Sequence, residues 1–304
     1  MNNSYISDHL NHGIKGHVHY EFVDVAVNDD RRLFIDPVLI ETAETPWCRE
    51  ANSIIQSFFD KFYQAYEQND EVKKIEILAH AREQNGTKLG YGNGHNGKGN
   101  TAQGLIHIFR PLEKLVLKIN TIRKPEDLPV LIPEFAEDGL SDLLTNILHD
   151  QLNQFTTQQL NKFGIKNNST IRFWTWDRLK EDWEGVERPC YRIDGRELLL
   201  VPKNIVRKKY LFSTHQYFTR IILERKREAG YGVIDGKLIP KKDIVAGKRN
   251  SGDSHWEYNE AISYTTKCND ALEEYHKKLP SFYAYRNFFM KDNELDDFLY
   301  GNQC

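Results

Sequence analysis

Between Trp47 and Gln68 the residues Ile54, Ile55, Phe58, Phe59, Phe62 and Tyr66 recur at three- and four-residue steps. That spacing predicts a long helix with one continuous apolar face. A face carrying so many large aromatic side chains is stable only when a second layer covers it, so the chain must build a substantial core around this helix. Further helical stretches are predicted to share that core. Leu105, Ile106, Phe109, Leu112 and Leu115 form one, broken or kinked at Pro111. Ser141–Phe163 forms another, with Ser141 as its N-cap. Ser213–Ala229 reads as a basic helix. Ser254 and Glu257 make a capping box for a helix to about Lys278, and Phe282–Tyr300 gives the last.

The strand signals come in clusters. His17–Val27 and Arg31–Asp36 read as a β-hairpin turned at Asn28-Asp29-Asp30, and Lys74–His80 reads as a strand. Thr170–Asp177 is aromatic and β-branched. Arg188–Ile193 and Arg196–Val201 flank Asp194-Gly195, and a second Asp-Gly pair, Asp235-Gly236, joins two short strands. Strands grouped around hairpins, rather than alternating with helices, predict an α+β fold with a mixed or antiparallel sheet and several long amphipathic helices. With 304 residues, about two regions are expected. They are an N-terminal α/β part over 1–164 and a C-terminal hairpin and helix part over 165–304, the alternative being one continuous domain.

A hydrophobic content of 39% and a charged content of 28% exclude wholesale disorder. The polar start MNNSYISDHLNHG is not a secretion signal, and no run approaches the roughly 18 apolar residues of a membrane span. A cytoplasmic protein without a membrane partner is therefore expected. Cys48, Cys190, Cys268 and Cys304 lack paired metal-ligand spacing and read as free thiols. The net charge of −3 hides an asymmetry, because Lys203–Arg249 holds 13 Lys and Arg against 4 Asp and Glu. Such a block either docks on the chain's own acidic part or marks a binding face.

Four places could carry chemistry. Gly86–Gly104 holds seven glycines, and Gly92–Lys98 nearly spells a phosphate-binding P-loop, but Gly99 stands where a magnesium-binding hydroxyl is required. The physical content that survives is anion contact by backbone amides near Gly97, Lys98 and Gly99, ahead of a helix N-terminus; an ordinary surface loop is the competing account. Along Glu137–Asp150, the residues Asp142, Asn146 and His149 line one face of a helix otherwise filled by leucines, with Asp138 just before it. Asp36 ends a strand before Pro37. Asp36, Asp138 and Asp142 could together hold Mg²⁺ or Mn²⁺ for phosphodiester cleavage, with Lys203 or Lys98 countering charge at the phosphate. The basic segment supplies Arg207, Lys208, Lys209, Arg225 and Lys226 for phosphates, and Tyr210, Phe212, Tyr217, Phe218 and Tyr231 for stacking on bases; such aromatics more commonly belong to a core.

The blocks LFIDPVLIE, GHNGKG, AEDGLSDLLTN and ELLLVPKNIVRK resemble a widespread bacterial family without a settled biochemical role, associated with defence against phage and foreign DNA. The resemblance runs from Leu33 to about Arg227 and implies a nucleic-acid target, DNA or RNA, without assigning a catalytic residue. The restriction-nuclease motif is not met, because Glu197–Lys203 carries Val201 where an acid is required. Arg249 and His255 have the spacing of the HEPN ribonuclease pair, but a turn-forming stretch separates them. The sequence thus predicts a nucleic-acid-directed effector, either a metal-dependent nuclease or a module that binds nucleic acid, a protein partner or a phosphate-bearing ligand without catalysis.

Overall fold

The computed structural model describes residues 4–10, 14–81, 86–91, 101–231, 233–234, 237–238, 240–249 and 253–301. The central helix is α1, Pro46–Glu67, opened by Pro46 at N1 and by Thr45, whose Oγ1 accepts from the Cys48 amide at 3.1 Å. Its predicted face is buried in full. Phe58 meets Trp176 edge-on at 5.0 Å, and Phe62 meets Phe109 in the same way at 5.3 Å. Each such side chain contributes roughly 1.5–3 kcal/mol on burial. One buried cluster draws side chains from Ile6 to Leu299.

The architecture is α+β, with four two-stranded antiparallel sheets set among the helices in the described residues. The predicted hairpin over His17–Asp36 does not form. Instead β1, Phe34–Ile35, pairs with β6, Val206–Arg207, in the register Phe34↔Arg207 and Ile35↔Val206. The reason lies in burial: Leu33, Phe34 and Ile35 are all fully buried, so this stretch has no solvent face to set against a local partner. The stretch predicted as a strand from Lys74 is a helix, α2, Glu71–Leu78, capped by Asp70 on the Lys73 amide. Lys74 is buried there and joins Glu71 at 2.6 Å and Glu113 at 3.1 Å, the first an i,i+3 pair that only a helix provides.

Helix α3, Ala102–Phe109, ends where expected, before Pro111. The predicted helix from Ser141 is two helices, α4, Glu137–Ile147, and α5, His149–Lys162, parted at Leu148. Ser141 is not a cap but lies inside α4, where its Oγ accepts from the Ile35 amide at 3.0 Å and ties the helix to β1. The longest hairpin joins β2, Ser169–Asp177, to β3, Asp182–Cys190. Next, β4, Arg192–Ile193, and β5, Arg196–Glu197, turn at Asp194 and Gly195. Both turn residues have left-handed φ, +50° and +78°, as a two-residue hairpin turn requires. The basic helix begins at Ser213 as predicted but passes through π-helical Phe218–Ile222 before Leu223–Lys226.

Strands β7, Val233–Ile234, and β8, Lys237–Leu238, flank the second Asp-Gly pair, and α6 spans Lys241–Arg249. The C-terminal helices break earlier than expected. Ser254 does not cap; α7 runs Trp256–Lys267 and α8 runs Asp270–Tyr285, parted where the Asn269 side chain accepts from the Asn120 amide at 2.9 Å. A turn then precedes α9, Asp292–Tyr300, so the predicted single helix over Phe282–Tyr300 is interrupted. Cys48, Cys190 and Cys268 are free thiols. Among the described residues no helix is long and apolar enough to cross a membrane.

Candidate functional site

Two features distant in sequence meet at the N-terminal end of α4. Gly90 has φ +138° and packs so closely on Asp138 that a Cβ there would lie 2.9 Å from Oδ1, which demands glycine twice over. The next residue, Tyr91, donates its hydroxyl to Glu137 Oε2 at 3.1 Å; burial and then that carboxylate push the phenol up to about 12. Tyr91 also packs on Phe34 at 5.2 Å, and the Arg32 guanidinium lies 5.1 Å from its ring centre. The root of the glycine-rich stretch is thereby fixed against the acidic start of α4. Gly97, Lys98 and Gly99 themselves lie outside the described residues; beyond them, Thr101 Oγ1 caps α3 on the Gly104 amide.

Asp36, Asp138 and Asp142 are gathered around Tyr210. This buried phenol donates to Ile35 O at 2.7 Å and is held protonated first by burial and then by Asp36, Glu137, Asp142 and Asp138. Asp138 and Asp142 are half-buried one turn apart on α4, whereas Asp36 is fully buried. One Asp36 oxygen caps the following helix on the Val38 amide at 3.0 Å, and the other accepts from the Tyr283 hydroxyl at 2.6 Å. Burial pushes this carboxyl up to about 6. A Mg²⁺ or Mn²⁺ ligand must be open to the ion, and Asp36, fully buried with both oxygens engaged, is not. Among the described residues no group of three or more His, Cys, Asp or Glu is arranged to hold a metal ion. Two other members of the expected constellation stand elsewhere. His149 opens α5 rather than ending α4, pairs with Glu197 at 3.0 Å and stacks on Phe173. Lys203 pairs with Asp292 at 2.6 Å and donates to His17 O; the cation acting on Asp36 is Arg207.

The basic segment divides. At its first end Lys208 and Lys209 are exposed, while the intervening aromatics turn inward: Tyr210 and Phe212 stack at 4.5 Å in the core. Tyr217 and Phe218 are likewise buried, so none of these four is available to a base; the Tyr231 side chain lies outside the described residues. Lys208 Nζ lies 4.1 Å from the Phe298 ring centre, and Arg207 donates to Phe288 O. Lys208 and Lys209 line a groove of about 690 Å³ whose opposite wall is the Tyr285–Met290 turn. A smaller cleft beside it carries Arg31, Arg32 and Tyr91 and shares Lys208, so the cations lead toward the root of the glycine-rich stretch. Glu294 and Asp297 also line the groove, leaving cations in excess. Among the described residues neither Lys208, Lys209, Arg32 nor Arg286 forms an ion pair.

At the other end, which lines a second groove of about 690 Å³, the cations are paired. Arg225 holds Glu274 at 2.6 Å and Asp270 at 2.9 Å, Lys226 holds Glu260 at 3.0 Å, and Lys241 holds Glu224 at 2.5 Å. These cations bind the molecule's own acids, as the docking alternative for a basic block predicts.

Arg31, Arg32, Tyr285, Arg286 and Phe289 were not anticipated in this role. A signal existed in Tyr283–Met290, YAYRNFFM, where aromatics interleave with a cation. Helical spacing conceals it, because Phe282–Tyr300 also reads as amphipathic. A family model described as a domain of unknown function (DUF8370) matches residues 13–213. Among curated proteins and among solved structures nothing matches.

Proposed function

We propose that this chain, which belongs to the DUF8370 family, binds nucleic acid through the phosphate backbone along the groove of Lys208, Lys209 and Arg286, extended by Arg31 and Arg32. The observation that carries this reading is that Lys208, Lys209, Arg32 and Arg286 are exposed along two adjoining clefts and form no ion pair among the described residues, Arg31 beside them being partly buried and paired with Asp29 at 3.7 Å. An ordinary solvated face interleaves both signs and pairs them, whereas unpaired cations around a groove attract a polyanion. The burial of Asp36, with both oxygens engaged, favours binding over metal-dependent cleavage. The sequence resemblance extends the reading to a bacterial, cytoplasmic defence effector acting on DNA or RNA.

Fluorescence anisotropy with labelled oligonucleotides tests it, with and without Mg²⁺ or Mn²⁺ and with gel analysis of strand integrity. Four neutralised phosphates make affinity fall roughly a hundredfold between about 50 and about 200 mM salt. Lys208→Ala with Lys209→Ala flattens that slope. Absent or salt-independent binding assigns the groove to a protein partner instead, and metal-dependent strand scission reinstates the nuclease reading.

A further inference from the structure

The turn facing the lysines has an unusual construction. Helix α8 ends at Tyr285, and the two residues after Arg286 both take left-handed backbone, Asn287 at φ +60° and Phe288 at φ +53°. Neither is glycine; Asn adopts this backbone readily, but for Phe288 it costs about 1 kcal/mol or more unless the surroundings hold it. Here they are held. The Phe288 amide donates to Tyr283 O at 2.8 Å, the Asn287 amide to Ala284 O at 3.1 Å, and Arg207 grips the Phe288 carbonyl from across the groove. Tyr283, at the base, is itself fixed by its bond to Asp36. What this rigid turn achieves is exposure: Tyr285 is 84% accessible and Phe289 47%, in a molecule that buries most of its aromatic side chains. Exposed aromatic surface held by a strained, tied-down turn is a recognition surface rather than a packing fault.

We infer that Tyr285 and Phe289 form a stacking platform for unpaired bases, making the groove a site for single-stranded rather than duplex nucleic acid. This deepens the proposed function and rests on it. Arg286 and the facing Lys208 and Lys209 supply the positive track for the backbone, and the two rings offer faces that any base can cover. In a duplex those base faces are already stacked on one another, so a platform of this kind gains nothing from it.

The test uses the full chain and three probes of equal length: single-stranded oligothymidylate, an abasic strand with the same phosphates, and a duplex. The wild type binds oligothymidylate about tenfold more tightly than the abasic strand, and more tightly than the duplex. Tyr285→Ala with Phe289→Ala removes the preference over the abasic strand while leaving abasic binding and the salt slope unchanged. Tyr285→Phe retains the preference, since the ring and not the hydroxyl stacks. Tyr285→Phe keeps the wild-type melting temperature and the double variant loses at most a few degrees, because Tyr285 is exposed and Phe289 about half so. Equal affinity of the wild type for oligothymidylate and the abasic strand overturns the platform but leaves phosphate binding standing. A preference that survives the double alanine variant overturns it too. Failure of all three probes to bind removes the underlying reading as well.

Discussion

The two ends of the Lys203–Arg249 segment have similar sequences and opposite fates. Lys208 and Lys209 open unpaired onto a groove, whereas Arg225 and Lys226, which line another of about the same volume, are held by Asp270, Glu274 and Glu260 of α7 and α8. What separates them is the opposing surface. Helices α7 and α8 present acids to the second end, and a turn of aromatics with Arg286 faces the first. A window of excess charge therefore does not define a binding face; the absence of an internal counter-charge does. The strongest test of this contrast reverses the charge of Lys208 and Lys209 to Glu. Nucleic-acid affinity at about 50 mM salt should fall by roughly a hundredfold or more. The melting temperature should stay within about 2 °C, since both side chains are exposed. A tenfold or smaller loss would break the contrast at its open end.

Beneath the open end lies Asp36, whose carboxyl sits at about 6 in the fold against about 4 in an unfolded chain. The folded state binds this proton more tightly, so the stability Asp36 contributes is present below pH 4 and is lost as pH rises through 6. Glu126, pushed by burial to about 7, acts in the same direction. So does His276: burial works to lower it, but the Asp127 carboxylate, 2.6 Å away, overrides burial and raises it. Thermal melts should accordingly show stability falling between about pH 4 and pH 8. Asp36→Asn keeps an oxygen to cap the helix and sets an amide NH2 against Tyr283, whose hydroxyl can turn to accept, while removing the buried charge. It should leave stability near pH 4 unchanged and raise it at pH 8, by up to roughly 3 kcal/mol. Destabilisation at pH 8 would show that the ionised carboxylate is needed, as a metal-binding role for Asp36 requires.

The parts of this arrangement legible in the sequence are those set by local chemistry. The apolar face of α1, the stop at Pro111 and the left-handed Asp194-Gly195 turn follow from periodicity and backbone preference alone. The pairing of Phe34–Ile35 with Val206–Arg207 does not, because two buried residues on each side carry no alternation to mark their partner. Likewise the polar stripe Asp142, Asn146 and His149 obeys helical spacing but is cut at Leu148, where a tertiary contact outweighs propensity: the Thr175 hydroxyl donates to Ile147 O at 3.1 Å. The groove suffers most, since its cations come from residues 31–32, 207–209 and 286, and only the middle set stands out as a charge cluster.

The paired end should respond in stability and not in binding. Replacing Arg225 and Lys226 with Ala removes ion pairs that are about three-quarters buried on the cationic side, together with the packing of Lys226 against Tyr264. The expected cost is about 1 kcal/mol, a melting shift of a few degrees, with affinity for any oligonucleotide changed less than twofold. A loss of affinity comparable to that of the Lys208 and Lys209 reversal would mean that nucleic acid displaces the internal acids.

The converse substitution has the smallest expected effect and cuts most directly at the cause. Glu260→Gln with Glu274→Gln leaves acceptors within reach of Lys226 and Arg225 but strips Lys226 of its counter-charge and Arg225 of one of two, Asp270 staying beside Arg225 at 2.9 Å. Lys278, held by Glu274 at 2.5 Å, is released at the same time. If internal pairing is what silences this end, the freed cations should strengthen binding at low salt by a factor of about two to three. The gain should stay small because Asp243 lines the same groove and Asp270 still holds Arg225, and it should vanish by about 0.3 M salt, as long-range attraction between exposed charges does. No change at all would mean that geometry rather than neutralisation excludes the second end. An increase as large as the loss caused by reversing Lys208 and Lys209 would show a second binding face, held shut by the acids of α7 and α8.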